Sequence, residues 1–100
     1  MFERNYNIIT GEIAGNAIVG RQLPDISCCY VKFKAARANA GNVYLGVTDA
    51  IRAVQGITST VTGFELDAGE ETDWLPIENL KELYIVSTNA ADDLVYMALI

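Results

Sequence analysis

The hydrophobic positions of this chain alternate with polar ones instead of recurring every third or fourth residue. The pattern is clearest from Ile26 to Ala36. Cys29, Val31, Phe33 and Ala35 fall on one face, and Cys28, Tyr30, Lys32 and Lys34 fall on the other. A period of two marks a half-buried antiparallel strand, because successive Cβ atoms point to opposite sides of a sheet. Val43, Leu45 and Val47 then alternate inward against Tyr44 and Gly46, and Asn39-Ala40-Gly41-Asn42 lies between the two runs. Glycine and asparagine are read there as supplying positive φ. The pattern therefore predicts a hairpin pairing 26–36 with 43–48.

The other elements are shorter. Residues 7–15 mix β-branched residues with glycine and predict an irregular first strand. Residues 16–25, with Gly20 and Pro24, predict a connection or extended arm. A strand is expected at 62–66 with Phe64 and Leu66 on one side, then a turn at 67–71 and a strand at 72–77. Pro76 cannot donate a ladder hydrogen bond and so belongs at an edge or an end. Residues 78–82 read as one helical turn or a tight loop, 83–87 as a strand, 89–93 as a turn and 94–100 as the closing strand. Residues 49–55 are the nearest approach to a helical period, with Ile51 and Val54 three apart. Short strands at this spacing predict an all-β fold: a small antiparallel β-sandwich or barrel, jelly-roll-like, with an N-terminal arm. Residues 1–100 read as a single β domain, 1–25 holding the arm and first strand and 26–100 the core.

Composition narrows the chemistry. Apolar types make up 51% of the 100 residues, and mean hydropathy is +0.20. A domain this small has too little interior to hide that much apolar surface, so part of it is expected to meet another subunit. The chain has no histidine, which removes histidine-based triads, histidine general bases and most zinc sites. With no GxSxG, SxxK, GxGxxG or GxxxxGK run either, the expectation is a non-enzyme without a cofactor. No stretch approaches the length of a membrane span, and the polar start lacks a signal-peptide layout, so no membrane partner is expected. Adjacent Cys28 and Cys29 would be strained as a disulfide, and they read as two reduced thiols of an intracellular assembly environment.

Charge is segregated. Residues 1–50 carry five basic against four acidic side chains, and residues 51–100 carry two against nine. Lys32, Lys34 and Arg37 form the only basic patch and read as a solvated strand face, so no nucleic-acid partner is expected. Glu65, Asp67, Glu70, Glu71 and Asp73 form the densest carboxylate set. A solvated hairpin accounts for them better than a calcium loop, since the DxDxDG spacing is absent, and no metal ligand is assigned. Tyr30, Tyr44, Tyr84 and Tyr96 sit beside apolar residues and are expected at layer edges or an interface, with a glycan platform as the alternative. The 48–62 connection is long and apolar. It either folds over its own core or docks on a partner, and the N-terminal arm admits the same two readings. The candidate partner-interface residues are accordingly Ile51, Val54, Ile57, Phe2 and Tyr6.

Residues 38–100 also resemble a known group. Ala38-Asn39-Ala40-Gly41-Asn42-Val43-Tyr44-Leu45-Gly46 is followed by Gly63-Phe64-Glu65-Leu66-Asp67-Ala68-Gly69-Glu70. Then come Leu75-Pro76-Ile77-Glu78-Asn79-Leu80 and Leu83-Tyr84-Ile85. This order is similar to small β-rich structural proteins of tailed bacteriophages. Their pattern runs N-x-G-x-V-Y-x-G, G-[FI]-x-L-x-x-G-E, then [LI]-P-[IV]-x-x-L-x-x-L-Y-[IV]. The resemblance implies a virion component assembled in the host cytoplasm, with capsid decoration (a cement protein) as the expected role. A tail or neck accessory subunit, or a carbohydrate-binding module contacting the host, is the alternative. It implies no catalytic residue. Its expected partners are sister chains, as a homo-oligomer with a trimer favoured, and the major capsid protein or other virion proteins. The loop after Gly46 is longer and more apolar here than that group leads one to expect.

Overall fold

A computed structural model of the chain describes residues 7–14, 20–47, 64–89 and 92–100. They contain β1 (Ile8–Ala14), β2 (Arg21–Gln22), β3 (Tyr30–Ala35), β4 (Val43–Gly46), β5 (Phe64–Leu66), β6 (Tyr84–Ser87) and β7 (Asp93–Leu99). These strands make two antiparallel sheets, ordered β1-β7-β3 and β2-β6-β4-β5. The fold is all-β. Its helical content among the described residues is one 3-10 turn at Leu80–Glu82, capped by Asn79, whose Oδ1 accepts the Lys81 N–H.

Both sheets contribute to one core, as the period-two pattern requires. Val31, Phe33 and Ala35 of β3, with Leu94 and Ala98 of β7, meet Val43 and Leu45 of β4, Ile85 of β6 and Leu66 of β5. Residues ahead of position 26 join them. Ile13 is buried from β1, and Leu23 is buried just after β2.

The expected hairpin between 26–36 and 43–48 is not formed. β3 pairs with β7, and β4 pairs with β5 and β6, so the two runs lie in different sheets. The 36–42 connection is a corner between layers, and its backbone is satisfied from the other end of the chain. The Asp92 carboxylate accepts the N–H groups of Ala40 (2.9 Å) and Gly41 (2.8 Å). Asn39 exchanges hydrogen bonds with the Asp93 backbone, and Asn42 N–H donates to Thr88 Oγ1 at 2.8 Å. Gly41 is not at positive φ either; among the described residues Gly69 alone is, at 86°. Gly41 answers to crowding instead, since a Cβ there would collide with Thr88 Oγ1 and lie 2.7 Å from Asn89 Nδ2.

The expected strand at 72–77 is replaced by a looser arrangement. Residues 69–79 run antiparallel along the free side of β3, touching it through bridges at Glu71 and Leu75, with a further bridge from Asn79 to Ser27. Val31 and Leu75 exchange backbone hydrogen bonds at 3.0 and 2.7 Å, Thr72 N–H donates to Phe33 O, and Phe33 N–H donates to Thr72 Oγ1. Side-chain bonding at Thr72 and the missing N–H of Pro76 break what would otherwise be a ladder.

Three inward assignments also change. Cys28 is the buried thiol and Cys29 the exposed one, the reverse of the strand alternation. The regular strand starts only at Tyr30, and successive N–H groups of Cys28 and Cys29 donate to Glu78 and to Leu99. Val47 is 73% exposed and Phe64 66%, while Tyr44, expected outward, is 5% exposed. Tyr44 packs with Val86, its cross-strand partner, on the second face of its sheet.

Candidate interaction surface

The register of the three-stranded sheet determines what its outer face presents. Ile8, Leu99 and Tyr30 lie abreast; Thr10, Met97 and Lys32 form the next row, and Glu12, Val95 and Lys34 the third. The inward residues of these strands fill the core, so this face is the sheet's second surface. One end of it is apolar. Ile8 is 61% exposed and Met97 41%, with Tyr30 also exposed, while Leu99 in their midst is buried. The other end is charged.

Trp74 extends the apolar band across β3. With Lys32, Lys34, Glu71, Val95 and Met97 it surrounds a shallow hollow of about 300 Å³. Lys32 Nζ lies 3.0 Å from Glu71 Oε1. The pair is solvent-exposed enough to contribute little stability, but it orders the rim of the hollow. A second cleft, of about 530 Å³, lies between Leu45, Val47, Phe64, Leu75 and Leu83, with Glu71 and Asp73 at its rim. Val47 and Phe64 adjoin residues 48–63, which lie outside the described residues.

Two of the carboxylates at 65–73 make hydrogen bonds that serve the fold. Glu65 Oε2 accepts from Asn42 Nδ2 (2.9 Å) and from the Tyr44 hydroxyl (2.7 Å), and Glu70 Oε1 accepts the Asp67 N–H. Among the described residues no three His, Cys, Asp or Glu side chains converge to hold a metal ion. Burial, followed by donation to Glu65, pushes the Tyr44 phenol above its ordinary value of 10.0. Burial likewise raises the Cys28 thiol, helped by Cys29 and Glu82 nearby. Cys28 Sγ donates to the Ile77 carbonyl at 3.4 Å, so it is a packed thiol.

The sequence-based interface candidates Phe2, Tyr6, Ile51, Val54 and Ile57 all lie outside the described residues. Of the four tyrosines read as edge or interface residues, Tyr30 is on the outer face and Tyr44 is buried. Trp74 and Met97 were not singled out by the alternation. Met97 follows from the parity of β7 once its partners are known, whereas Trp74 sits in an irregular segment with no period to mark it.

The described residues define a small, mostly all-β fold of two sheets with an outer face that is apolar at one end and charged at the other. In comparisons with family models, curated proteins and solved structures, nothing matches the chain.

Proposed function

We propose that this chain is a non-enzymatic structural subunit, a β-sandwich of jelly-roll-like type that acts by adhesion within a virion. Capsid decoration is the specific role, with sister chains and the major capsid protein as partners. The observation that carries the reading is the apolar end of the outer sheet face, where Ile8, Tyr30 and Met97 stand exposed together. A group of this kind is uncommon on a subunit that works alone. Each 100 Å² of apolar surface removed from water contributes roughly 2.5 kcal/mol before the costs of association. Repetition over a shell turns modest contacts into firm retention. The motif order from Asn39 to Ile85 supports the same reading through its resemblance to tailed-phage structural proteins.

The test is co-sedimentation of the purified chain with heads of the virus that encodes it. Retention that is lost in Met97→Glu and Ile57→Asp variants is the expected result. Binding to tail or neck assemblies instead would move the subunit along the virion, and no binding to any virion part would end the reading. The partly exposed Trp74 beside Lys32 and Lys34 favours a second reading, as a carbohydrate-binding module. Glycan-array binding abolished by Trp74→Ala would establish that alternative.

A further inference from the structure

The sheet edges are unequal. β5 offers three residues and β2 only two. The edge made by 69–79 is interrupted and carries Pro76. Short or broken edges of this kind discourage further pairing. β1 has none of these protections: it is seven residues long, pairs with β7 along its whole length, and contains no lysine or proline.

One residue pair identifies which backbone groups face outward. Asn7 and Ile100 exchange both hydrogen bonds, at 3.2 and 2.8 Å. Bonded and non-bonded pairs alternate along an antiparallel ladder. Ile9, Gly11 and Ile13 therefore turn their N–H and C=O groups toward β7, while Ile8, Thr10, Glu12 and Ala14 turn theirs away. Arg21 agrees with this, since its Nη1 donates to the Ala14 carbonyl at 3.1 Å. Among the described residues, the N–H and C=O groups of Ile8, Thr10 and Glu12 meet no partner.

We propose that this edge pairs with β1 of a second copy, antiparallel about a two-fold axis at Gly11. All seven residues then overlap. The outward-facing backbone groups meet in pairs, giving about six interchain hydrogen bonds apart from those to the two Ala14 carbonyls, which already accept from Arg21. On the inner face Ile9 opposes Ile13 of the second copy, joining the two cores. On the outer face Ile8 opposes Ala14, and Thr10 opposes Glu12, so no like charges meet. An axis at Glu12 would set the two carboxylates against each other, and an axis at Thr10 would shorten the overlap. Gly11 places no side chain on the axis, where a Cβ would lie 2.5 Å from Tyr96 Oη. This self-complementarity selects a second copy over a foreign strand, because an isologous contact requires each position to suit its own mirror in the register. The proposal rests on the assembly reading above and names its partner.

The test is the mass of the pure chain in solution, by light scattering across a wide dilution series, with no virion part present. Wild type is expected to be a dimer. Thr10→Pro removes an outward N–H and leaves the β7 ladder intact, a change that edge strands tolerate. It should raise the dimer dissociation constant by at least about a hundredfold with an unchanged circular dichroism spectrum. A monomer at every concentration, a trimer, or an oligomer unmoved by Thr10→Pro would overturn the proposal. If that variant does not fold, amide exchange on wild type decides. Protection at Ile8, Thr10 and Glu12 that rises with concentration supports pairing, and concentration-independent exchange refutes it. Co-sedimentation with heads is scored separately, so a dimer that binds no head, or a head-binding monomer, shows which of the two readings has failed.

Discussion

Asp92 shows how much one residue can organise. It is 4% exposed, and its two carboxylate oxygens take the N–H groups of Ala40 and Gly41, which belong to a corner fifty residues earlier in the chain. Removing a buried acceptor leaves those donors unpaired, so Asp92→Ala should cost about 2–4 kcal/mol in urea unfolding, and Asp92→Asn less. Tyr44 makes a pH-dependent contribution. Its folded-state phenol titrates above 10.0, so the unfolded chain loses the proton first as pH rises. The contribution is therefore complete below that pH and declines above it, until the folded phenol also ionises. Tyr44→Phe should cost about 1 kcal/mol at neutral pH through the lost bond to Glu65. It should also flatten the stability profile above pH 10, as read by denaturation at a series of alkaline pH values. Neither role was legible in the sequence. Asp92 read as part of a turn and Tyr44 as an outward strand residue, because a hydrogen-bond partner distant along the chain leaves no periodic mark.

At the scale of elements, most strand positions were legible and strand partners were not. The exceptions among positions are the two-residue β2 inside 16–25, which read as a connection or arm, and the loss of the strand expected at 72–77. Val31, Phe33 and Ala35 alternate as a strand should, and they are fully buried. The same local pattern is compatible with pairing to 43–48, to β7 or to 69–79. Asn39-Ala40-Gly41-Asn42 has the composition of a hairpin turn, but its donors go to Asp92 and Thr88, which carries the chain across to the other sheet. The 69–79 segment is the complementary case: the strand expected at 72–77 within it survives only as separate contacts along β3. Thr72 is the residue that joins it at Phe33. Thr72→Val keeps the shape and removes the acceptor at 3.0 Å. Hydrogen exchange at the Phe33 amide should accelerate in that variant, with global stability lowered by about 1 kcal/mol. Unchanged exchange at Phe33 would mean that this contact does not hold the segment.

At the scale of the molecule, core and surface make separable predictions. Phe33 lies in the core shared by the two sheets, and Phe33→Ala should cost about 3–5 kcal/mol in denaturant unfolding. Met97 is 41% exposed on the outer face. Met97→Glu should leave stability within about 0.5 kcal/mol while abolishing retention on heads. Loss of both together would make Met97 a core residue and withdraw the face from the functional reading. Alternation, turn residues and the absence of histidine, all local or compositional properties, sufficed to determine a mostly all-β fold among the described residues, the approximate positions of most of its strands and the lack of histidine chemistry. Three matters waited for the tertiary structure: which sheet each strand joins, which of two adjacent cysteines is buried, and which edge has the fewest partners among the described residues. Each depends on contacts between residues far apart in the chain. A period of two sorts side chains into two faces but does not say which face, or which edge, another strand will cover.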